Sequence, residues 1–123
     1  MGYRNILDLN LERVEGALAL LTRPSLQLQG VAQEVLTSKR AVAAIRPDDI
    51  AISQAERRFN EAPQRNVIFG QAEIVEYCGR DFLVDVLSEP GLLLHARTPR
   101  RVAPGDWLRL EISPDRVLTF SPE

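Results

Sequence analysis

The residues best suited to catalysis are few in this sequence and do not form a known catalytic set. His95 is the only histidine and Cys78 the only cysteine among 123 residues. A nucleophilic site requires a serine or cysteine beside a base that a third group orients, and no motif places His95 in such a set. We interpret His95 as a structural or solvent-facing residue and Cys78 as a partly exposed, unreactive thiol. A single cysteine also excludes an internal disulfide and a cysteine-based zinc site.

Motifs for nucleotide phosphates and for metal ions are also missing. The sequence contains neither the G-x-x-x-x-G-K-[ST] phosphate loop nor the G-x-G-x-x-G fingerprint. Asp48 and Asp49 offer adjacent carboxylates, but two acids after a proline more often start a turn or cap a helix than bind a metal. We therefore predict that this chain is not an enzyme and that it has no catalytic residue, no cofactor and no metal site.

The net charge and the hydropathy of the sequence argue against a nucleic-acid partner and against a membrane-spanning helix. The formal net charge is -2, and Lys39 is the only lysine. Nucleic-acid binding depends on clustered cations, and the densest basic stretch contains only Arg97, Arg100 and Arg101, so no nucleic-acid partner is expected. No apolar run approaches the ~18–20 residues of a membrane-spanning helix, and the start lacks the regions of a signal peptide. We predict a soluble, cytosolic protein.

The apolar residues tend to recur at every second position, the spacing of a β-strand with one buried face. Leu7, Leu9 and Leu11 alternate with polar residues, and the pattern returns further along the chain. Residues 31–36 fit either a short helix or an irregular loop. The sequence predicts an all-β fold, a small OB-like β-barrel with additional N-terminal strands. The predicted strands are residues 6–13, 17–21, 25–29, 41–46, 71–77, 82–87, 92–97, 107–112 and 117–120.

Turn residues and polarity suggest how the chain is divided. Gly79 lies between two strand-like runs, where a glycine can supply the positive φ that a tight hairpin needs. Residues 53–65 are the most polar stretch and are interpreted as a surface connection. The predicted division is an N-terminal strand lobe at residues 1–52, a polar connection at 53–65 and an OB-like barrel at 66–123. No internal sequence repeat stands out.

Two segments together resemble a known family. The run Arg46-Pro47-Asp48-Asp49 resembles an Arg-Pro-acid segment in the C-terminal region of the ATPase subunits of import-type ABC transporters. The run Glu76-Tyr77-Cys78-Gly79 is similar to the Glu-Tyr-x-Gly strand and turn of the same subunits. Weaker likenesses at residues 1–7, 102–106 and 113–120 follow in the same order, so the resemblance runs along the whole chain.

The resemblance implies a non-catalytic regulatory and dimerisation domain, with residues 66–123 as its transport-associated OB (TOBE) barrel. It implies association with a second copy and contact with a membrane permease through the parent subunit, and it allows for sensing of a regulatory protein or small solute. ATP and Mg²⁺ would bind only in an ATPase domain expected to precede this chain, at the cytoplasmic face of the membrane. Arg46 is expected either to pair with a carboxylate across the two lobes or simply to belong to a turn. The residues that carry the family pattern are Arg46, Pro47, Asp48, Asp49, Glu76, Tyr77, Gly79 and Gly105.

Two other functions also fit features of the sequence. The first is a free-standing oxyanion binder of the molybdate-binding (molbindin) type, because Arg65 and Asn66 followed by Gly70 resemble a segment of that family. However, Gln64 replaces the small residue of that segment, and no serine is placed to donate to an oxyanion. The second is an OB-type binder of single-stranded nucleic acid, which the scarcity of aromatic residues disfavours.

Overall fold

The computed structural model describes residues 5–56, 64–88 and 91–122, and within these ranges the regular structure is almost entirely strand. Two single-turn 3-10 helices, Pro47–Asp49 and Pro114–Arg116, interrupt the strands. The all-β prediction is confirmed. The strands are β1 (Asn5–Glu15), β2 (Leu18–Arg23), β3 (Leu26–Ala32), β4 (Arg40–Ile45), β5 (Ile50–Gln54), β6 (Val67–Tyr77), β7 (Phe82–Ser88), β8 (Leu93–Thr98), β9 (Trp107–Ile112) and β10 (Leu118–Phe120).

The strands form two barrel-like layers that share one apolar core. The first is a closed barrel in the order β1-β2-β3-β10-β4, and the second is a five-stranded sheet in the order β5-β9-β6-β7-β8. Side chains alternate between core and solvent along most strands, as in β1, where Leu7 and Leu9 are buried between exposed neighbours. This alternation is the period-two pattern that the sequence shows, so the predicted strands are confirmed by type.

The two halves of the chain repeat the same order of elements. β1 and β6 each have 11 residues and each carries a register shift, and β4 and β9 each have six residues and lead into a proline-initiated turn. This repeat is not visible in the sequence. Burial alternates in the same way in both halves while residue identities differ, because a pleated strand fixes which face is apolar and not which apolar residue occupies it.

Each half contributes one strand to the other half. β5 follows the first half along the chain but pairs with β9, and β10 follows the second half but pairs with β4 and β3. The division at residues 1–52, 53–65 and 66–123 stays a prediction. Ser53 and Gln54 belong to β5, and residues 57–63 of the predicted connection lie outside the described residues.

Two local features depend on this exchange and on the loops beside it. A Cβ atom at Gly30 would lie 2.6 Å from the carbonyl oxygen of Val117, so glycine permits the close approach of β3 to the segment that leads into β10. Residues 33–36 follow an irregular loop and not a helix, while Val31 and Ala32, for which a short helix or a loop was predicted, belong to β3. Leu36 of this loop packs against the core.

Candidate functional site

The turn after β4 has the form that its sequence predicts. Arg46 is extended (φ -80°, ψ 142°), and Pro47 is the buried first residue of the 3-10 turn, where its missing N–H costs nothing. The Asp49 amide donates to the Arg46 carbonyl at 3.0 Å, and the Ile50 amide donates to the carbonyl of Pro47. Asp48 is exposed in this turn, so its carboxylate is available to bond to a neighbouring element.

Arg97 on β8 connects this turn to the hairpin between β6 and β7. Its Nε lies 3.0 Å from Asp48 Oδ1, and its Nη1 donates to Asp81 Oδ1 at 3.0 Å. The charge of Asp81 and then that of Asp48 raise the pKa of Arg97 above its ordinary value. Both ion pairs are partly exposed to solvent. They therefore fix the orientation of the Arg97 side chain more than they contribute to the free energy of unfolding. In the sequence Arg97 stood out only as part of a basic stretch, and the pairing of Arg46 with a carboxylate stays a prediction.

The hairpin holds the second group of family residues. Gly79 adopts φ 89°, so the predicted left-handed glycine is confirmed. The Tyr77 ring packs against Phe82 with centroids 5.2 Å apart, and its hydroxyl donates to the Gly79 carbonyl. Glu76 is exposed beside them, and Cys78 is an exposed free thiol. Arg97 thus brings the 46–49 turn and the 76–81 hairpin together.

Gly105 lies elsewhere, in the loop before β9. Its φ of 93° allows the Gly105 amide to donate to the Ala72 carbonyl at 2.8 Å, beside the register shift of β6. The neighbouring Asp106 carboxylate accepts from the Ala103 amide at 2.9 Å and from Gln54 Nε2 at 3.2 Å. These donors, the Ala103 amide first, lower the pKa of Asp106. Gly105 therefore has a local structural role.

The outward face of β6, β7 and β8 carries three exposed apolar side chains, Ile74, Leu87 and Leu93. Cross-strand pairing and alternation place Leu87 beside Leu93, and Ile74 in the next row. The exposed fractions of these three residues are 45%, 51% and 62%. We call this surface the outer face. Its three rows are Gln71–Leu87–Leu93, Ile74–Asp85–His95 and Glu76–Leu83–Arg97.

An acid–histidine pair lies in the middle row of the outer face. His95 Nδ1 is 2.7 Å from Asp85 Oδ1, and both side chains remain about one quarter exposed. Among the described residues, no group of three or more histidine, cysteine and acidic side chains is placed to hold a metal ion. His95 therefore has a carboxylate partner that the sequence analysis did not identify.

The side-chain amide of Asn66 makes hydrogen bonds to both halves of the chain through its oxygen and its nitrogen. It is buried and adopts φ 62°, a conformation that asparagine tolerates better than most residues. Its Oδ1 accepts from the Gln29 amide at 2.7 Å, and its Nδ2 donates to the carbonyls of Gln29 at 3.0 Å and Ile112 at 2.9 Å. These contacts occupy both Nδ2 hydrogens, so we assign Asn66 a structural role.

Asn5 makes the matching contacts in the other half. Its Oδ1 accepts from the His95 amide at 2.6 Å, and its Nδ2 donates to the carbonyls of His95 at 2.8 Å and Ile45 at 3.2 Å. Gln29 and His95 thus occupy equivalent positions in β3 and β8. We call Asn5 and Asn66 the asparagine latches. Asn5 was not predicted from the sequence, and Asn66 was considered only as part of an oxyanion-binding segment.

A groove beside Asn66 has a mixed charge. Arg65 is one lining residue, and the carboxylates of Asp49 and Glu111 face the same space. Glu111 pairs with Arg109 at 2.9 Å. A bound anion would meet the Arg65 guanidinium only together with the Asp49 carboxylate, so this groove is a poor match for an oxyanion.

The comparisons with known proteins agree with this architecture. The model of the TOBE domain family matches residues 43–120, and the chain belongs to that family. The fold is also similar to that of a solved structure of the cytoplasmic molybdate-binding protein ModG in a crystal form with molybdate bound. That likeness covers 99% of each chain with a TM-score of 0.76 and 16% sequence identity.

No curated protein sequence matches the chain. The likeness to the ModG structure establishes the OB-like fold and not a ligand, since 16% of residues are identical. Within the described ranges, no helix has the length and apolar content needed to cross a membrane.

Proposed function

We propose that this TOBE domain is a non-catalytic interaction module of the ATPase subunit of a bacterial ABC importer. In this role it contributes to subunit association at the cytoplasmic face of the membrane and to the sensing of an effector. ATP and Mg²⁺ bind in the ATPase domain, and the contacts with the permease are made through the parent subunit. The family pattern at residues 46–49 and 76–79 supports this assignment.

The observation that carries the proposal is the outer face. Ile74, Leu87 and Leu93 expose 62%, 45% and 51% of their surfaces on adjacent strands. Exposed apolar side chains grouped on a rigid sheet are typical of protein interaction sites. Arg97 further fixes this sheet by bonding to both the Asp48 turn and the Asp81 hairpin.

The test is the association of an ATPase subunit that carries this domain, measured by analytical ultracentrifugation. We expect Leu93→Asp to weaken subunit association, because a charge would replace an apolar contact. Val35→Asp is the matched control, since Val35 is 82% exposed in a loop away from the outer face. Equal effects of the two substitutions, or no effect of either, would count against the proposal.

The coding sequence offers a second, independent test. The proposal predicts that the reading frame upstream of this domain encodes a G-x-x-x-x-G-K-[ST] phosphate loop within about 250 residues. A gene that encodes this domain without any ATPase domain would contradict the assignment to a transporter subunit. It would leave the second candidate function below in place.

The second candidate is a free-standing oxyanion binder. The likeness to the molybdate-binding ModG structure favours it, because that likeness extends over both halves of the chain whereas the family model covers residues 43–120. Arg13 and Arg65 also line one depression together with Gln29. Against it stand the occupied side chain of Asn66 and the carboxylates of the neighbouring groove.

A calorimetric titration of the purified chain with molybdate, tungstate and sulfate separates the two candidates. The interaction module predicts no saturable heat at micromolar oxyanion. Saturable binding that is lost in Arg65→Ala, but kept in the Arg100→Ala control, would establish the second candidate. Arg100 is exposed and is not among the residues that line the described depressions near Arg65.

A further inference from the structure

The two halves of the chain differ in how their barrels close. In the first half, β10 pairs in parallel with β3 and completes the barrel β1-β2-β3-β10-β4. The equivalent strand of the second half is β5, since each follows a proline-initiated 3-10 turn. Within the described ranges β5 lies beside β8 but is not paired with it, so β5 and β8 are the edges of the second sheet. We call the boundary between them the seam.

A glycine in β3 and an alanine in β8 account for part of this difference. Because Gln29 corresponds to His95, Gly30 corresponds to Ala96. A Cβ atom at Gly30 would lie 2.6 Å from the Val117 carbonyl oxygen, so the close approach in the first barrel requires glycine. Ala96 carries that Cβ atom and is fully buried. The second barrel therefore cannot bring β5 equally close to β8.

Pro99, directly after β8, removes a hydrogen bond that closes the first barrel. It corresponds to Gln33, whose amide donates to the Thr119 carbonyl of β10 at 2.8 Å. Proline has no backbone N–H, so an equivalent bond to β5 cannot form. The second barrel thus lacks both the space and one of the donors that close the first barrel.

Side chains bridge the seam in place of backbone pairing. Arg97 belongs to β8 and Asp48 to the turn that leads into β5, so their 3.0 Å ion pair crosses the seam. The bond from Arg97 to Asp81 instead stays among β6, β7 and β8. The Arg97 and Asp48 side chains are 39% and 69% exposed, and water competes for such a pair. The ion pair can therefore break without unfolding the strands on either side of it.

We propose that this ion pair controls the opening of the second barrel. While the pair is formed, β5 stays against β8; when it breaks, the seam opens and the first barrel stays closed. Arg97 also belongs to the Glu76–Leu83–Arg97 row of the outer face, so the same guanidinium connects that face with the seam. The opening is a property of the chain itself and goes beyond the proposed function.

Hydrogen exchange of the purified full chain, followed by NMR, tests this opening. The Arg97 backbone faces the seam, because that of His95 two residues earlier bonds to Asn5 on the side away from β7. The Arg97 amide should therefore exchange faster than its counterpart at Val31, which donates to the Val117 carbonyl at 2.8 Å.

Two variants break the ion pair from either end. Arg97→Gln and Asp48→Asn should each accelerate exchange of the β8 amides by about two- to fivefold, the range that a partly exposed ion pair supports, and leave β3 unchanged. Raising the ionic strength should act in the same way on the unmodified chain and much less on the variants, because salt screens the pair. Arg109→Gln, which breaks the pair with Glu111 in the same sheet, is the control and should leave β8 unchanged.

Asp81→Asn distinguishes the seam from the neighbouring hairpin. It removes only the Arg97 bond that does not cross the seam, so an effect as large as that of Asp48→Asn would overturn the proposal. Equal exchange of the Arg97 and Val31 amides in the unmodified chain, or acceleration of β3 together with β8 in the variants, would overturn it as well.

The reverse experiment restores the features of the first half. The double variant Ala96→Gly/Pro99→Gln should allow β5 to pair with β8 and should slow exchange of the Arg97 amide. Unchanged or faster exchange would contradict the roles assigned to Ala96 and Pro99. Circular dichroism verifies that each variant keeps the β fold. These measurements do not involve subunit association, so the opening of the seam and the proposed function can fail separately.

Discussion

Asn5 and Asn66 show how a single polar side chain can hold two strands that are far apart in sequence. Each amide group accepts one backbone N–H and donates to two carbonyls, one in its own half and one in the other half. A buried backbone group that loses its partner costs more than an average hydrogen bond contributes. The latches are therefore expected to be the most sensitive polar positions of the fold.

We predict that Asn66→Ala lowers the free energy of unfolding by about 2–4 kcal/mol, because the Gln29 amide and two carbonyls lose their partner. Asn5→Ala should have an effect of similar size at the equivalent position. Urea denaturation followed by circular dichroism measures both. Gln33→Ala is the control, since Gln33 makes an exposed contact to Val31. A loss for Asn66→Ala no larger than that of the control would refute the structural role of the latch.

A second residue-scale prediction concerns acid sensitivity. The pKa of Asp106 is lowered in the folded state, so its contribution to stability is complete above the ordinary aspartate pKa of about 4 and is lost as the pH falls through the folded value. Asp106→Asn removes this contribution. The melting temperatures of the two proteins should differ near neutral pH and converge as the pH falls well below the ordinary aspartate pKa. A constant difference between pH 7 and pH 2 would show that another interaction is responsible.

Thr119 provides a test of a buried group without a partner. Among the described residues, the Thr119 Oγ1 is the buried side-chain atom that lacks a hydrogen bond. We predict that Thr119→Val keeps or raises the melting temperature, because an isosteric methyl group removes the desolvation cost of the hydroxyl. A drop in melting temperature of several degrees in thermal denaturation would mean that the hydroxyl has a partner in solution.

At the scale of elements, the exchanged strands decide whether the two halves stay together. β10 has only three residues and reaches its place beside β3 because Gly30 leaves room for the Val117 carbonyl and the Thr119 side chain. Gly30→Ala should destabilise the protein by about 1–3 kcal/mol through this clash.

The informative readout is local hydrogen exchange. In Gly30→Ala, the amides of residues 118–120 should exchange faster than in the unmodified chain. Gly16→Ala is the matched control, because nothing lies within 4 Å of its new Cβ although its φ of 62° makes alanine unfavourable there. Faster exchange of β10 in both variants would indicate a general loss of stability and not the detachment of one strand.

The strands could be predicted from the sequence more completely than the contacts between residues that lie far apart in the chain. Strands with strict alternation, such as the one around Leu108 and Leu110, were recognised because burial on one face leaves a period-two pattern. β5 was missed because its five residues run directly into a polar stretch. Arg97 with Asp48, and Asn66 with Gln29 and Ile112, are separated by 37 residues or more, and no local pattern specifies such contacts.

At the scale of the whole molecule, the internal repeat places β1, β2 and β3 in positions equivalent to those of β6, β7 and β8, with different residues on the outward surface. The strand pairing is the same in both halves. However, Asp85 and His95 occupy the positions in β7 and β8 that Leu20 and Gln29 occupy in β2 and β3. The family match and the fold similarity identify an OB-like TOBE architecture.

A ¹H–¹⁵N correlation spectrum of the labelled chain, recorded across a protein concentration series with and without molybdate, tests the central claim most directly. The account predicts that rising protein concentration shifts the amide signals of Ile74, Leu87 and Leu93, and that molybdate changes nothing. Saturating shifts of Gln29 and Arg65 on addition of molybdate, with an unchanged outer face, would contradict it.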